Sequence, residues 1–206
     1  ITHAIVILGF SKVKNIVLAA SVFGMTKQPK NSSISICALW EHALTTGIVC
    51  RQIAKHRNSG IDIEEMFVAG LLHDLGKVIL ISNLPDICTA ISDHVIKNDC
   101  LFLEAENSIL EFGHDKIGVW LSEKWNLNPA LIEGIKCHHS PLSARGDKEI
   151  PYTVHAGDII ARALGVGNGG DNKIPKLEPK VALELGLTIE VIDKIMGEVL
   201  IEIEKA

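Results

Sequence analysis

His73 and Asp74 are adjacent in MFVAGLLHDLGKVILISNL, a run that is apolar on nearly all sides apart from these two residues and Lys77. A helix of that kind is buried, and an ionised carboxylate inside it is prohibitively costly unless something compensates its charge. A metal cation does so directly, and imidazole with carboxylate suits iron, manganese, zinc or nickel rather than calcium. One His-Asp pair is weak ground, because a lone buried histidine is more often a satisfied core residue. Further donors stand where helices can bring them together: His42 in ALWEHAL, His114 after Gly113, the pair His138-His139 at a helix end, and Asp158 in HAGDII. Counting His73, six groups besides Asp74 exceed one ion's usual need. They fit two divalent ions sharing Asp74 as a bridge, about 3.5–4 Å apart, with a water or hydroxide between them. Iron or manganese is the first expectation for both, with zinc or nickel as alternatives.

Purely structural roles for His42, His73, Asp74 and Asp158 would require neighbouring cations, and Lys77 and Arg162 serve at most two of them. The metal reading is therefore preferred. His114 and the His138-His139 pair have a competing role as helix caps or solvent-facing residues. Lys77 suits a phosphate contact as well as a carboxylate partner. His155 shares a face with Asp158 and is expected to support the ligands rather than join them. His3, His56 and His94 read as surface residues, and Trp40, Trp120 and Trp125 as packing residues. Glu111, Glu133 and the acidic faces around Glu104-Glu106 and Glu202-Glu204 read as solvated helix surface.

The elements that must position these groups are helices throughout. Apolar residues recur every three to four positions, and no segment alternates with period two between hairpin turns. Helices are expected at Ile1–Leu8 and Ser11–Phe23, followed by a polar linker at Lys27–Ser33 containing Pro29. Ser33 is placed to cap a long helix to about His56, and Asn58-Ser59-Gly60 stops it. Asp62 then starts the helix that carries His73 and Asp74. Pro85 and Asp86 open a helix to about Lys97, and others are expected at Leu103–Phe112, Asp115–Trp125, Pro129–His139 and Pro151–Leu164. GVGNGGDNKIP reads as a flexible tip, and Glu178–Leu185 and Thr188–Lys205 as the final helices.

The 206 residues and 22.4 kDa suit one sizeable domain with a small helical appendage. Twenty basic against 25 acidic residues give a net charge of −5, so no general positive field recruits nucleic acid or an anionic membrane. Five Phe, three Trp and one Tyr offer few stacking platforms for bases. Cys37, Cys50, Cys88, Cys100 and Cys137 are odd in number, form no CxxC pair and sit among apolar neighbours, as reduced buried thiols do. Ile16–Met25, after Lys12 and Lys14, faintly imitates a signal peptide but is too short to span a bilayer. A cytoplasmic protein is the resulting expectation. A first residue of Ile rather than Met is expected of a piece trimmed from something longer.

The order His42, His73-Asp74, Asp158 is similar to the H…HD…D signature of the HD metal-dependent phosphohydrolase superfamily. The segments THAIVILGFSKVKNIVL, LWEHALTTGIVC, FVAGLLHDLGK, LEAENSILEFGHDKIGVWLSEKWNLNPALIEGIKCHHSP and VHAGDIIARALG resemble its HDOD branch, the HD-related output domain of bacterial signalling proteins. They run through most of residues 2–165. The resemblance implies an all-α, HD-domain-like multi-helix bundle in one domain over residues 1–206. Within it, 1–30 would be what remains of an N-terminal helical region, 31–165 the metal-binding core and 175–206 the C-terminal helices. It also implies a regulatory role toward a signalling partner or partner domain. His42, His73-Asp74, His114, His138-His139 and Asp158 further match, step by step, the metal pattern of HD-GYP cyclic-di-GMP phosphodiesterases. In such enzymes the lysine corresponding to Lys77 faces the substrate phosphate. That implies Asp74 and Lys77 as catalytic groups should the chain hydrolyse a nucleotide or phosphodiester, with bound water brought from a pKa of about 15.7 toward about 7. Two departures limit the likeness: SPLSARGDKEIPY follows the histidine pair where a GYP motif would stand, and Ala38 occupies the place of a third ion's glutamate.

Overall fold

The computed structural model describes residues 34–58, 60 and 62–205, together with Gly9, Val13, Ile16, Val17 and Ser21. Those five positions apart, the helices expected at Ile1–Leu8 and Ser11–Phe23 lie outside the described residues, as does the linker Lys27–Ser33. Within them every regular element is helical and none is a strand, so the all-α expectation holds.

The long helix α1 (Ile36–Arg57) is capped by Ser35, whose hydroxyl accepts from the Ala38 N–H, two residues later than the expected Ser33 cap. It stops where Asn58 turns left-handed at φ 46°. Asp62 opens α2 (Ile63–Leu72) by accepting from the N–H groups of Glu64 and Glu65, as its position predicts. The apolar run does not continue as one helix. It breaks at His73-Asp74, where Asp74 leaves helical geometry at φ −96° and ψ 17°, and α3 (Leu75–Asn83) begins. Gly76 permits a close approach of α3 to the helix that begins at His114: a Cβ there would sit 1.9 Å from the His114 carbonyl oxygen. Apolar periodicity cannot reveal such a break, because both halves of the run are buried.

Helices α4 (Pro85–Asn98), α5 (Phe102–Leu110), α6 (His114–Lys124) and α7 (Pro129–Cys137) follow within a few residues of expectation. After a 3-10 turn at Pro141–Ser143 comes α8 (Glu149–Leu164), with Pro151 tolerated inside its first turn. Helices α9 (Pro179–Leu185) and α10 (Ile189–Ile203) close the described chain.

Two apolar clusters meet on α1. Leu39, Ala43 and Cys50 pack with Leu71 and Leu72 of α2, Leu131 and Ile135 of α7 and Val154 of α8. Ile48, Val49 and Ile53 pack with Tyr152 and Ile160 of α8 and with Val181, Leu185, Ile195 and Val199 of the last two helices. Polar ties reinforce the second contact: Glu202 pairs with Arg51 and accepts from Gln52 at 2.9 Å. Burial at about 25 cal/mol per Å² of apolar surface supplies the dominant drive for both clusters. Trp120 departs from its expected packing role, being 58% exposed.

The segment expected to be a mobile tip, GVGNGGDNKIP, instead folds back over the bundle. Asn168 donates its backbone N–H to the Ala38 carbonyl at 2.9 Å, and the buried Asp171 carboxylate accepts from the Phe102 N–H at 2.9 Å and from Arg162 at 3.0 Å. Its glycines serve close approach: a Cβ on Gly169 would come within 3.4 Å of His42 Nε2. Glycine content therefore marks tight packing here rather than freedom.

Candidate metal centre

Five pieces of chain deliver the polar residues to one point inside the bundle. His42 points inward from α1, and the break between α2 and α3 presents His73 and Asp74. His114 is the first residue of α6, His138 and His139 follow the end of α7, and Asp158 lies on α8. His42, His73, Asp74, His114, His138 and Asp158 are all buried, whereas His139 is half-buried.

Asp74 faces two groups with its two oxygens. Oδ2 lies 3.3 Å from His73 Nε2 and 3.8 Å from His42 Nε2, and Asp158 Oδ1 completes this group at 3.0 Å from His42 Nε2. Oδ1 lies 3.1 Å from His114 Nε2 and 3.9 Å from His138 Nε2, with His139 Nε2 3.0 Å from that of His114. All seven donors expected from the sequence are thus brought together: His42, His73 and Asp158 form one group, His114, His138 and His139 another, and Asp74 groups with His73 and His138 between them.

The donor chemistry fits divalent ions. Donors bound to one ion at about 2.0–2.2 Å lie about 3.0–3.5 Å from one another, close to the shorter separations here. His73 and His138 direct Nδ1 to the carbonyls of Gly70 and Ile135, each at 2.7 Å, which places the proton on Nδ1 and leaves the Nε2 lone pair facing the centre. His42 Nε2, His73 Nε2 and Asp74 Oδ1 are buried without a hydrogen-bond partner, an arrangement costly unless a cation sits among them. Burial, reinforced by neighbouring imidazoles, holds His138 and His139 well below the ordinary histidine pKa, so both are neutral donors. Burial likewise lowers His42, outweighing the attraction of Asp158. Burial alone would raise both carboxylates. For Asp74 the neighbouring His73, Lys77 and His114 outweigh it, and for Asp158 Arg162 and His42 do, so both sit well below the usual range.

Lys77 Nζ is buried and donates to Asp74 Oδ2 at 2.8 Å, so the carboxylate-partner role is the one the structure displays. A cavity of about 120 Å³ opens beside it, lined by His114, His139, Asp158, Arg162 and Lys176 among others. His155 supports rather than ligates: its Nδ1 donates to the His138 carbonyl at 2.7 Å, as its position implied. Ala38 gives the centre no donor side chain and lends its carbonyl to Asn168.

Glu106 corrects an expectation. Its carboxylate is not solvated surface but fully buried, with Oε2 2.6 Å from His114 Nδ1. A signal was present in the sequence: Glu106 shares a helical stripe with Phe102 and Ala105, whereas Glu104 lies on another face and caps α5 through the Leu101 N–H. Asp171, hidden in the glycine-rich stretch, was also missed, and no periodicity marks it. Elsewhere His56 is exposed and His94 partly so, while His3 lies outside the described residues. Three cysteines are buried as expected, Cys100 is half-buried and Cys37 is exposed; all five are free thiols.

An all-helical bundle with a His/Asp cluster at the crossing of α1, a broken helix and α8 defines the general class of HD-type helical domains. The chain belongs to the HDOD domain family, whose pattern matches residues 1–141. An HDOD domain protein of unknown function from Geobacter sulfurreducens is similar over 98% of this chain and 69% of its own, with a TM-score of 0.72 and 22% identity. A candidate phosphohydrolase from Shewanella amazonensis SB2B is similar over 97% and 71%, with a TM-score of 0.70 and 23% identity. At these identities the likeness concerns the fold. An uncharacterized protein of Treponema pallidum (strain Nichols) is 28% identical over 127 residues, 61% of this chain. The match spans only 25% of that curated relative's length. No single helix among the described residues is long and apolar enough to cross a membrane.

Proposed function

We propose that this HDOD domain is a regulatory module of bacterial signal transduction whose core holds two divalent ions, bridged by Asp74. His42, His73 and Asp158 would complete one site, and His114, His138 and His139 the other. The observation that carries this reading is the facing of the two Asp74 oxygens toward two separate sets of inward-pointing donors. Divalent ions in such a pair bind phosphate oxygens and acidify water. Lys77, Arg162 and Lys176 line the adjacent cavity beside Asp158 and Asp171, and once ions offset the carboxylates these three cations would suit a phosphate-bearing ligand such as a nucleotide. Ligand state would pass through the packed helices to a partner domain.

Elemental analysis tests it, on protein purified without chelator or nickel resin, beside Asp74→Asn and Asp74→Ala. About two equivalents of iron, manganese or a similar ion in the natural protein, lost in folded variants, is the expected result. Folded natural protein that takes up no ion rejects the reading.

A second reading, hydrolysis of a nucleotide or phosphodiester, is favoured by one observation: Lys77 lies beside both Asp74 and the cavity. There it would neutralise a non-bridging phosphate oxygen. A screen of phosphate mono- and diesters decides, with turnover expected to vanish in Asp74→Asn. Binding without turnover leaves the regulatory role alone.

A further inference from the structure

The two donor sets are not equivalent in charge. The set around His42 and His73 contains Asp158 as well as the shared Asp74, whereas the set around His114, His138 and His139 has only Asp74. Three neutral imidazoles and half a share in one carboxylate compensate a divalent ion poorly. Glu106 stands where the missing negative charge belongs. It is fully buried, and its Oε2 accepts from the His114 backbone N–H at 3.1 Å as well as approaching Nδ1 at 2.6 Å. Oε1 has no hydrogen-bond partner, and among the described residues no Lys or Arg pairs with this carboxylate. A buried charge so placed is costly unless His114 and whatever His114 binds compensate it. His73 and His138, by contrast, donate Nδ1 to neutral backbone carbonyls.

Resting on the two-ion reading above, we propose that Glu106 is the positioning residue of the ion on the His114 side. It holds the proton on Nδ1, aims Nε2 at the site and lends the imidazole its negative charge, so that this ion's affinity depends on Glu106 and that of its neighbour does not. The placement of α5 makes this a property of the fold. Its first N–H is fixed by Asp171, so Glu106 projects against the start of α6 from a helix held at its N-terminus.

The test is a zinc titration against a chromophoric chelator for the natural protein, Glu106→Gln and Glu106→Ala, with folding followed by circular dichroism. One equivalent should weaken about 10–100-fold in Glu106→Ala. Glu106→Gln, which keeps an acceptor oxygen but not the charge, should fall between it and the natural protein. The other equivalent should be unchanged. Both equivalents binding as tightly in folded variants overturns this inference and leaves the two-ion reading intact. Equal weakening of both overturns it too, because Glu106 would then act on the whole fold. Natural protein that binds no zinc overturns the two-ion reading and this inference together. Should neither variant fold, the long-range 1H–15N spectrum of the zinc-loaded natural protein decides. A protonated Nδ1 at His114 whose proton is strongly deshielded is expected, and a proton on neither nitrogen or a freely exchanging one overturns the assignment.

Discussion

His114 lies between two carboxylates, Glu106 on Nδ1 and Asp74 on Nε2, and titrates accordingly. Burial opposes its charge, but Glu106 and Asp74 outweigh burial and raise its pKa from 6.5 to about 9. In protein stripped of metal the folded state therefore holds this proton more tightly than the unfolded chain does. The resulting stability is fully present below about pH 6.5 and is lost as pH rises through about 9. Urea unfolding of chelated protein should show a midpoint that falls across this window, and the fall should shrink in His114→Asn. Each residue of the His/Asp cluster was legible from residue type and order, because buried imidazoles and carboxylates are scarce and stand out in apolar text. Glu106 was not, since a glutamate in LEAENSIL looks like any other on an amphipathic helix until its face is assigned.

Helices α2 and α3 illustrate what residue patterns leave open at the scale of elements. Their apolar text is continuous, yet the helix breaks at Asp74, whose one carboxylate faces both donor sets. Beside this break Gly76 lies against the His114 carbonyl, a contact between segments far apart in sequence. Gly76→Ala must push α3 off α6, and overpacking of this kind costs about 1–3 kcal/mol, more where backbone resists. Thermal unfolding should reveal the loss, and ion binding should weaken in step as Asp74 moves away from His114. The loop after α8 gives the opposite lesson: its glycines suggest freedom, but Asp171 ties it to Arg162 and to the start of α5. Asp171 Oδ1 also accepts from the Lys173 N–H at 2.9 Å, so in Asp171→Asn the Phe102 and Lys173 amides should exchange with deuterium faster than in the natural protein, while amides of α1 stay protected.

Across the whole molecule, helices contributing donors surround the centre and pack on α1, so an ion bound there is bound only by the folded chain. Stability and occupancy are then linked: one site at a free ion concentration a hundredfold above its Kd adds about 2.7 kcal/mol. Scanning calorimetry with and without chelator should show the midpoint drop when ions are withdrawn, and little change in Asp74→Asn. An unchanged midpoint in the natural protein would mean that the donors are preorganised but idle. The all-helical class was readable from periodicity alone, whereas the seating of α9 and α10 on α1 through Val181, Leu185 and Val199 rests on long-range burial.

Asp158 stands on α8, where Arg162 Nε holds it at 3.0 Å one turn further on, whereas the family pattern matches only as far as residue 141. A protein cut at that boundary would keep five histidines of the centre and Asp74, yet it would lack the carboxylate that completes the His42 side. It would also lose the arginine steadying that carboxylate and the loop that closes over His42. The smallest piece of this chain able to assemble the whole centre therefore extends past the recognisable signature, through α8 and the loop to Asp171.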